Sequence, residues 1–149
     1  MEDKTTFKNI TVAVDGSDHA RNALEIACDI AKLYEGNIYL VHTPEVQTTG
    51  FAVGSGAVEI LPSDAAIQAA GRDVMADAVT RVQAAGCEPK SQIVGNGRPS
   101  AEVIAAAKDT GSDLIVMGRR GLGSMQSLLM GSTSQKIAHD APCAVLTVK

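Results

Sequence analysis

The sequence predicts an α/β protein in which a five-stranded parallel sheet carries helices on both faces. The chain has 149 residues, of which 45% are hydrophobic and 20% charged, as expected for a globular protein. Short, almost continuously apolar runs alternate with longer segments of helical periodicity. Such runs are typical of parallel strands buried on both faces, and their alternation with helices requires right-handed βαβ crossovers. We expect a single domain over residues 1–149, since the sequence shows no second domain or repeat.

The first elements are a strand, a helix and a second strand. Residues 10–14 form a short apolar run, and Ser17 is a good N-cap for the helical pattern that follows. Gly36 stands where a helix C-terminus favours a residue that tolerates positive φ. Residues 37–42 are nearly all apolar and predict the second strand.

A long connection precedes the second helix. Residues 43–62 show no clear periodicity and contain three glycines, so we expect a mobile loop there. Ser63 then opens a long helix that Gly86 ends. Residues 88–94 follow as a third strand, whose polar composition predicts a position at the edge of the sheet.

The last part of the chain supplies two helices and two strands. Pro99 starts a helix that Gly111 ends, and residues 113–117 form the fourth strand. Ser132 is predicted to cap a short helix that runs to about residue 139. Residues 144–148 then form the fifth strand, after a proline that breaks the helix.

Composition argues against several classes of function. A net charge of −4, no Trp, two Tyr and two Phe argue against a nucleic-acid partner. The sequence has no apolar run of about 18 residues, so we expect no membrane partner and a cytoplasmic location. Cys28, Cys87 and Cys143 lack metal-site spacing and are expected to be reduced core thiols. The three histidines, His19, His42 and His139, likewise lack metal-ligand spacing and suggest packing or surface roles, so no metal site is predicted.

A glycine-rich segment after the fourth strand is the strongest candidate for ligand binding. It reads Gly118-Arg119-Arg120-Gly121, nine further residues, then Gly131-Ser132-Thr133-Ser134. Ligands of parallel sheets bind beyond the carboxyl ends of the strands, and the free N–H groups of a helix N-terminus favour a phosphate. The alternative is that the glycines shape a turn and Ser132 caps a helix. The Walker, GxGxxG and GxSxG motifs are absent, so no catalytic residue is predicted.

The sequence resembles the universal stress protein family, in its nucleotide-binding branch. The resemblance spans residues 8–149 and is carried by the glycine motif together with residues 10–17 (ITVAVDGS), 113–118 (DLIVMG) and 141–146 (APCAVL). It implies a Rossmann-like sheet of the adenine nucleotide alpha hydrolase-like type, with strand order 3-2-1-4-5. It further implies that ATP binds, with Mg or Mn held mainly by the phosphates, and that two copies form a homodimer through the last strand.

The resemblance also assigns roles to individual residues. Asp15 matches a position that contacts the adenosine portion, although an Asp before Gly-Ser also suits a turn hydrogen bond. Val41 matches the backbone position that holds adenine. The ribose and phosphate positions match Gly118, Gly121, Gly131, Ser132 and Ser134, and Arg119 and Thr133 are further candidates within the motif. Arg120, like Arg119, could pair with a phosphate, although arginine side chains in an exposed loop are more often solvated.

These assignments favour a binding protein. We expect a nucleotide-dependent regulatory module of the stress response that acts on an unidentified protein partner. A slow ATPase and a scaffold without a ligand are the alternatives.

Overall fold

The structure is a computed structural model that describes residues 6–45, 49–121 and 130–149. Seven strands and four helices occur in this part of the chain. In chain order they are β1 (Asn9–Ala13), α1 (Asp18–Tyr34), β2 (Asn37–His42), β3 (Thr49–Val53), β4 (Gly56–Ile60), α2 (Asp64–Ala84), β5 (Pro89–Val94), α3 (Pro99–Asp109), β6 (Leu114–Gly118), α4 (Ser132–Asp140) and β7 (Ala144–Val148).

The main sheet has five strands in the order β5-β2-β1-β6-β7. All neighbouring strands in it are parallel, and Val12 at the centre pairs with Leu40 on one side and Val116 on the other. This order is the predicted 3-2-1-4-5 arrangement, because β5, β6 and β7 are the third, fourth and fifth strands of that sheet. The predicted fold class is therefore confirmed, including the edge position of the polar strand β5.

Two apolar cores lie on opposite faces of this sheet. Alternate side chains of β1, such as Ile10 and Val12, pack with α1 and α2. Ile115 and Met117 of β6 point to the other face and pack with α3 and α4. The period-two alternation of strand side chains thus places a helical layer on each face.

The prediction of a loop over residues 43–62 is wrong. β3 and β4 form a two-stranded antiparallel hairpin in which Phe51 pairs with Val58. Residues 51, 53, 58 and 60 are apolar at every second position, which is the strand signal that the glycines obscured. Gly54 in the turn between the two strands has φ +61°. Residues 46–48 of the predicted loop lie outside the described residues.

The expected role of Gly36 is also wrong. Glu35, not Gly36, takes the left-handed conformation at the end of α1, with φ 52°. A Cβ on Gly36 would lie 2.6 Å from the carbonyl oxygen of Phe7, so glycine is needed there because another backbone segment passes close by. At Gly86 and Gly111, by contrast, φ is positive.

Helix starts agree with the sequence in two cases and differ in a third. The hydroxyl groups of Ser17 and Ser63 accept hydrogen bonds from backbone N–H groups of α1 and α2, as predicted for N-caps. α4 begins one residue earlier than expected, because Gly131 is its N-cap and Ser132 is its first helical residue. No helix in the described part of the chain is both long and apolar enough to cross a membrane.

Candidate functional site

A cavity of about 520 Å³ opens at the carboxyl ends of β1, β2 and β6. This volume is within the range of about 300 to 1,000 Å³ that small-molecule sites occupy. The chain crosses to opposite faces of the sheet after β1 and after β6, which makes this edge the switch point where parallel sheets bind ligands. Of the predicted contacts, the cavity is lined by Asp15, Val41, Gly118, Gly121, Gly131, Ser132, Thr133 and Ser134.

Asp15 lies in the cavity wall and also shapes the turn after β1. Its Oδ1 accepts a hydrogen bond of 2.9 Å from the Ser17 N–H. Its Oδ2 lies against Gly121, where an added Cβ would collide with it. The turn hydrogen bond is therefore present, and the same side chain lies in the cavity wall, so the position of Asp15 is compatible with a ligand contact.

Gly118 joins three elements at the end of β6. A Cβ here would lie 2.8 Å from the Cβ of His19 and 2.9 Å from the backbone nitrogen of Ala20, so α1 packs directly against this glycine. The Gly118 carbonyl accepts a hydrogen bond of 2.8 Å from the hydroxyl of Ser134 on α4. Because the hydroxyl hydrogen of Ser134 is already donated to this carbonyl, the hydroxyl oxygen can only accept a hydrogen bond from a ligand.

The first turn of α4 lies in the wall of the cavity. Its N-cap residue is Gly131, which has no side chain to cap the helix, and Ser132, Thr133 and Ser134 of the first turn all line the cavity. Gly131 is held in place by its N–H, which donates to the carbonyl of Arg119 at 2.9 Å. Free N–H groups and the positive end of the helix dipole favour a phosphate at such a position.

The two neighbouring arginines differ in position. Arg120 lines the cavity, whereas Arg119 is absent from the lining residues that the structure describes. The Arg119 backbone extends the sheet, because its N–H donates to the Val148 carbonyl at 2.7 Å. The Arg120 N–H donates to Nδ1 of His19 at 3.2 Å. The geometry therefore favours Arg120 over the predicted Arg119 as a cavity residue.

At the end of β2, most polar groups are hydrogen-bonded to neighbouring segments of the sheet. The Val41 carbonyl accepts a hydrogen bond from the Val14 N–H, and the His42 carbonyl accepts one from the Gly95 N–H, both at 2.8 Å. The His42 ring donates from Nδ1 to the Val14 carbonyl at 2.7 Å. The Thr43 hydroxyl is buried, in contrast, and has no hydrogen-bond partner among the described residues.

Thr43 belongs to residues 41–43, which their position after the second strand marks as candidates for ligand contacts, but it was not selected as a site residue. It directly follows β2 and lines the cavity, two residues after the predicted Val41.

Apolar side chains complete the cavity around this end. Ala70 and Val74 of α2 contribute one wall, and Val103 of α3 and Ile137 of α4 contribute another. The cavity thus combines an apolar part near β2 and α2 with a helix N-terminus at α4. In the described residues, no group of three or more His, Cys, Asp or Glu side chains is placed to hold a metal ion.

Comparison with known proteins agrees with this architecture. The model of the universal stress protein family matches residues 6–149. A universal stress protein from Thermus aquaticus, encoded in the QAH/OAS sulfhydrylase 3′ region, is 35% identical over 145 residues, covering 96% of this chain and 99% of that protein.

Solved structures show the same fold. The universal stress protein UspA from Lactobacillus plantarum superposes with a TM-score of 0.75 at 26% identity, covering 98% of this chain and all of that one. A universal stress protein described as a complex with cAMP has a TM-score of 0.74 at 21% identity and covers 97% of this chain and 99% of its own. Other structures of similar fold are described as bound to dAMP and AMP. The family model and the Thermus relative both span nearly the whole chain, and the chain therefore belongs to the universal stress protein family.

Proposed function

We propose that this protein binds an adenine nucleotide in the cavity at the carboxyl ends of β1, β2 and β6 and acts as a nucleotide-dependent regulatory module. The observation that carries the proposal is the first turn of α4, which lines a cavity of about 520 Å³ and has no side-chain cap. Family members of the same fold that are described as complexes with cAMP, dAMP and AMP support an adenine nucleotide as the ligand.

The shape and chemistry of the cavity suggest an orientation for the nucleotide. Phosphates would lie at the first turn of α4, where N–H groups and the helix dipole stabilise negative charge. The base would lie at the apolar end, between Ala70, Val74 and Thr43. Asp15 lies against Gly121 in the cavity wall, where its carboxylate would accept hydrogen bonds from ribose hydroxyls.

ATP with Mg or Mn is the ligand that we favour. The cavity lining that the structure describes holds two carboxylates, Asp15 and Glu45, so the chain offers few ligands of its own to a divalent cation. A metal held mainly by nucleotide phosphates and water suits this arrangement, because Mg²⁺ commonly keeps several waters and few protein ligands. In the proposed mechanism, the nucleotide shifts the protein between conformations by binding one of them more tightly.

The first experiment is to denature the purified protein, identify any released nucleotide, and titrate the emptied protein calorimetrically with ATP, ADP and AMP, with and without magnesium. Stoichiometric adenine nucleotide, or binding below the millimolar range, is the expected result. Absence of both contradicts the proposal and favours a scaffold function. Steady phosphate release from the loaded protein distinguishes the slow ATPase alternative.

Asp15→Asn is the sharpest variant for this test. The amide oxygen keeps the acceptor for the Ser17 N–H, so the turn is preserved while the charge is lost. We expect the binding free energy of the nucleotide to weaken by about 1.5 to 3 kcal/mol, the value of a hydrogen bond to a charged group. Asp73→Asn, on an exposed position of α2, is the matched control and should bind as the wild type does. Equal affinities of the two variants would remove Asp15 from the site.

We further propose a homodimer that acts on a protein partner in the cytoplasm during stress. β7 lies at the edge of the sheet, so one side of this strand is not paired with another strand of the main sheet. Edges of this kind are commonly covered by a second strand. Light scattering at micromolar concentration should give twice the monomer mass, and a monomer at that concentration would contradict the dimer.

A further inference from the structure

Two cysteines distant in sequence meet between α1 and the connection that leads into β5. Cys28 lies on α1 and is 1% exposed, and Cys87 is half-buried between α2 and β5. The Cys87 thiol lies 3.6 Å from the Cys28 carbonyl oxygen, to which it donates a hydrogen bond. Both side chains pack in the same core cluster, and both are free thiols. The fold thus brings together two thiols that are 59 residues apart.

A charged pair lies beside these thiols. The Lys32 ammonium is 3.3 Å from Oδ1 of Asp29 and donates to the carbonyl of Ala85 at 3.0 Å. Asp29 directly follows Cys28 in the chain, and Ala85 is two residues before Cys87. The lysine therefore fixes a positive charge where α1 meets the connection after α2.

The two thiols have different environments. Burial, reinforced by the neighbouring Cys87, raises the pKa of Cys28 to about 12, so this thiol is protonated at neutral pH. Cys87 is only half-buried and is the more accessible of the two thiols. The two thiols therefore differ in their accessibility to a small oxidant.

We propose that Cys28 and Cys87 form an oxidisable pair that a hydroperoxide converts into an intramolecular disulfide. The Cys87 thiol gives up its proton, and its sulfur attacks one oxygen of the hydroperoxide. The O–O bond breaks, the sulfur becomes a sulfenic acid, and the leaving oxygen takes up the thiol proton and departs as an alcohol (water, in the case of hydrogen peroxide). The Cys28 sulfur then attacks the sulfenic sulfur, the S–S bond forms, and hydroxide leaves with the Cys28 proton as water. Two thiols are oxidised and one peroxide is reduced, so electrons and atoms balance.

The third cysteine is a built-in control. Cys143 packs against the core on the opposite face of the sheet, with α3 and α4, whereas Cys28 and Cys87 pack with α1 and α2. Burial raises the pKa of the Cys143 thiol as well. A general sensitivity of all thiols to peroxide is therefore distinguishable from a specific bridge between the other two.

The test treats the folded protein with hydrogen peroxide and follows free thiols, intact mass and disulfide-linked peptides. The expected result is loss of two of three thiols, a mass lower by two hydrogen atoms, and a Cys28–Cys87 peptide pair, all reversed by dithiothreitol. Cys143→Ser should give the same bridge. Cys28→Ala should leave a Cys87 sulfenic acid that dimedone traps, and Cys87→Ser should keep its remaining thiols reduced at the same peroxide dose.

Three outcomes would overturn the proposal. In the first, all three thiols of the wild type stay reduced after peroxide treatment. In the second, the disulfide that forms includes Cys143. In the third, Cys87 is oxidised to sulfinic acid and no disulfide forms. Comparison of circular dichroism spectra before and after treatment establishes that the folded protein reacts. The wild type and Cys143→Ser together keep the test decisive if a variant of buried Cys28 fails to fold.

Discussion

The two sides of the cavity differ in how closely the neighbouring chain segments are packed. On the side of β6 and α4, backbone segments are in close contact, as at Gly118, where α1 leaves no room for a side chain. On the side of β2 and α2, the chain continues beyond the cavity lining into the hairpin, where Phe51, Val53 and Val58 are 51–63% exposed. Gly118 therefore serves both the packing of the fold and the cavity wall, whereas more than half of each of these hairpin residues is exposed to solvent.

The close packing around Gly118 changes how the glycine motif is interpreted. A motif at a ligand site suggests that each member touches the ligand. Gly118 and Ser134 instead contact each other across the junction of β6 and α4, and Gly118 also contacts α1. The close packing of this junction positions the first turn of α4 at the cavity.

Among the substitutions that compare these two regions, Gly118→Val is expected to have the largest effect, and that effect is on stability. Its Cβ would meet the backbone of α1, so we expect a loss of about 3 kcal/mol in the free energy of unfolding, as found for severe overpacking. Gly50→Val in the hairpin is the matched control, because a Cβ there has nothing within 4 Å. That variant should stay within about 0.5 kcal/mol of the wild type.

Urea denaturation of both glycine variants gives the comparison directly. Similar stabilities would show that the α1 contact at Gly118 yields easily, and the distinction between the two sides would fail. If Gly118→Val is destabilised as expected, its loss of nucleotide binding reports unfolding, and Asp15→Asn remains the proper binding test.

A smaller effect is expected from Thr43→Val on the β2 side. The substitution keeps the side-chain shape and removes a buried hydroxyl that has no partner among the described residues. If this hydroxyl bonds the nucleotide, affinity should fall by about 1 kcal/mol, roughly fivefold, in calorimetric titration. Folding stability should not fall, because no hydrogen bond within the described protein is lost.

The control for Thr43→Val is Thr80→Val, which changes an exposed threonine of α2 in the same way. Nucleotide binding of the control should equal that of the wild type. A Thr43→Val variant that binds nucleotide as tightly as the control would assign the hydroxyl no role in recognition.

The smallest effect is expected for Val58→Thr in the hairpin. Val58 is 51% exposed, so its replacement by an isosteric hydroxyl should change the free energy of unfolding by less than about 0.5 kcal/mol. The same substitution at Val12, which is 0% exposed at the centre of the sheet, should cost about 2 kcal/mol, because it buries a hydroxyl. Equal melting curves for the two variants would contradict this contrast between hairpin and core.

Four of the five strands of the main sheet were predictable because each is a compact apolar run, and the polar strand β5 was predictable from its place between two helical segments. β2 and β7 begin and end at the predicted residues. The hairpin was missed because glycines interrupt its alternation of apolar and polar residues. Its apolar residues are also exposed, so the segment lacks the continuous apolar run that indicates a buried strand.

The candidate site was predictable in outline for the same reason. The glycine motif and Asp15 follow apolar strands, and all of the predicted positions except Arg119 line the cavity. Arg120 and Thr43 were not selected, because their orientation depends on hydrogen bonds of the sheet that the local sequence does not show. The backbone of Arg119 is held by Val148, 29 positions later in the chain.

The sequence by itself determined the alternation of strands and helices, the glycine motif and the family, since periodicity and motif spacing are local properties of the chain. The tertiary structure decided which polar groups form hydrogen bonds within the protein and which polar groups face the cavity. It also placed Cys28 beside Cys87, on the face of the sheet opposite Cys143. The reason is physical: a hydrogen bond or a close contact depends on partners brought together by packing, and these partners are far apart in the sequence.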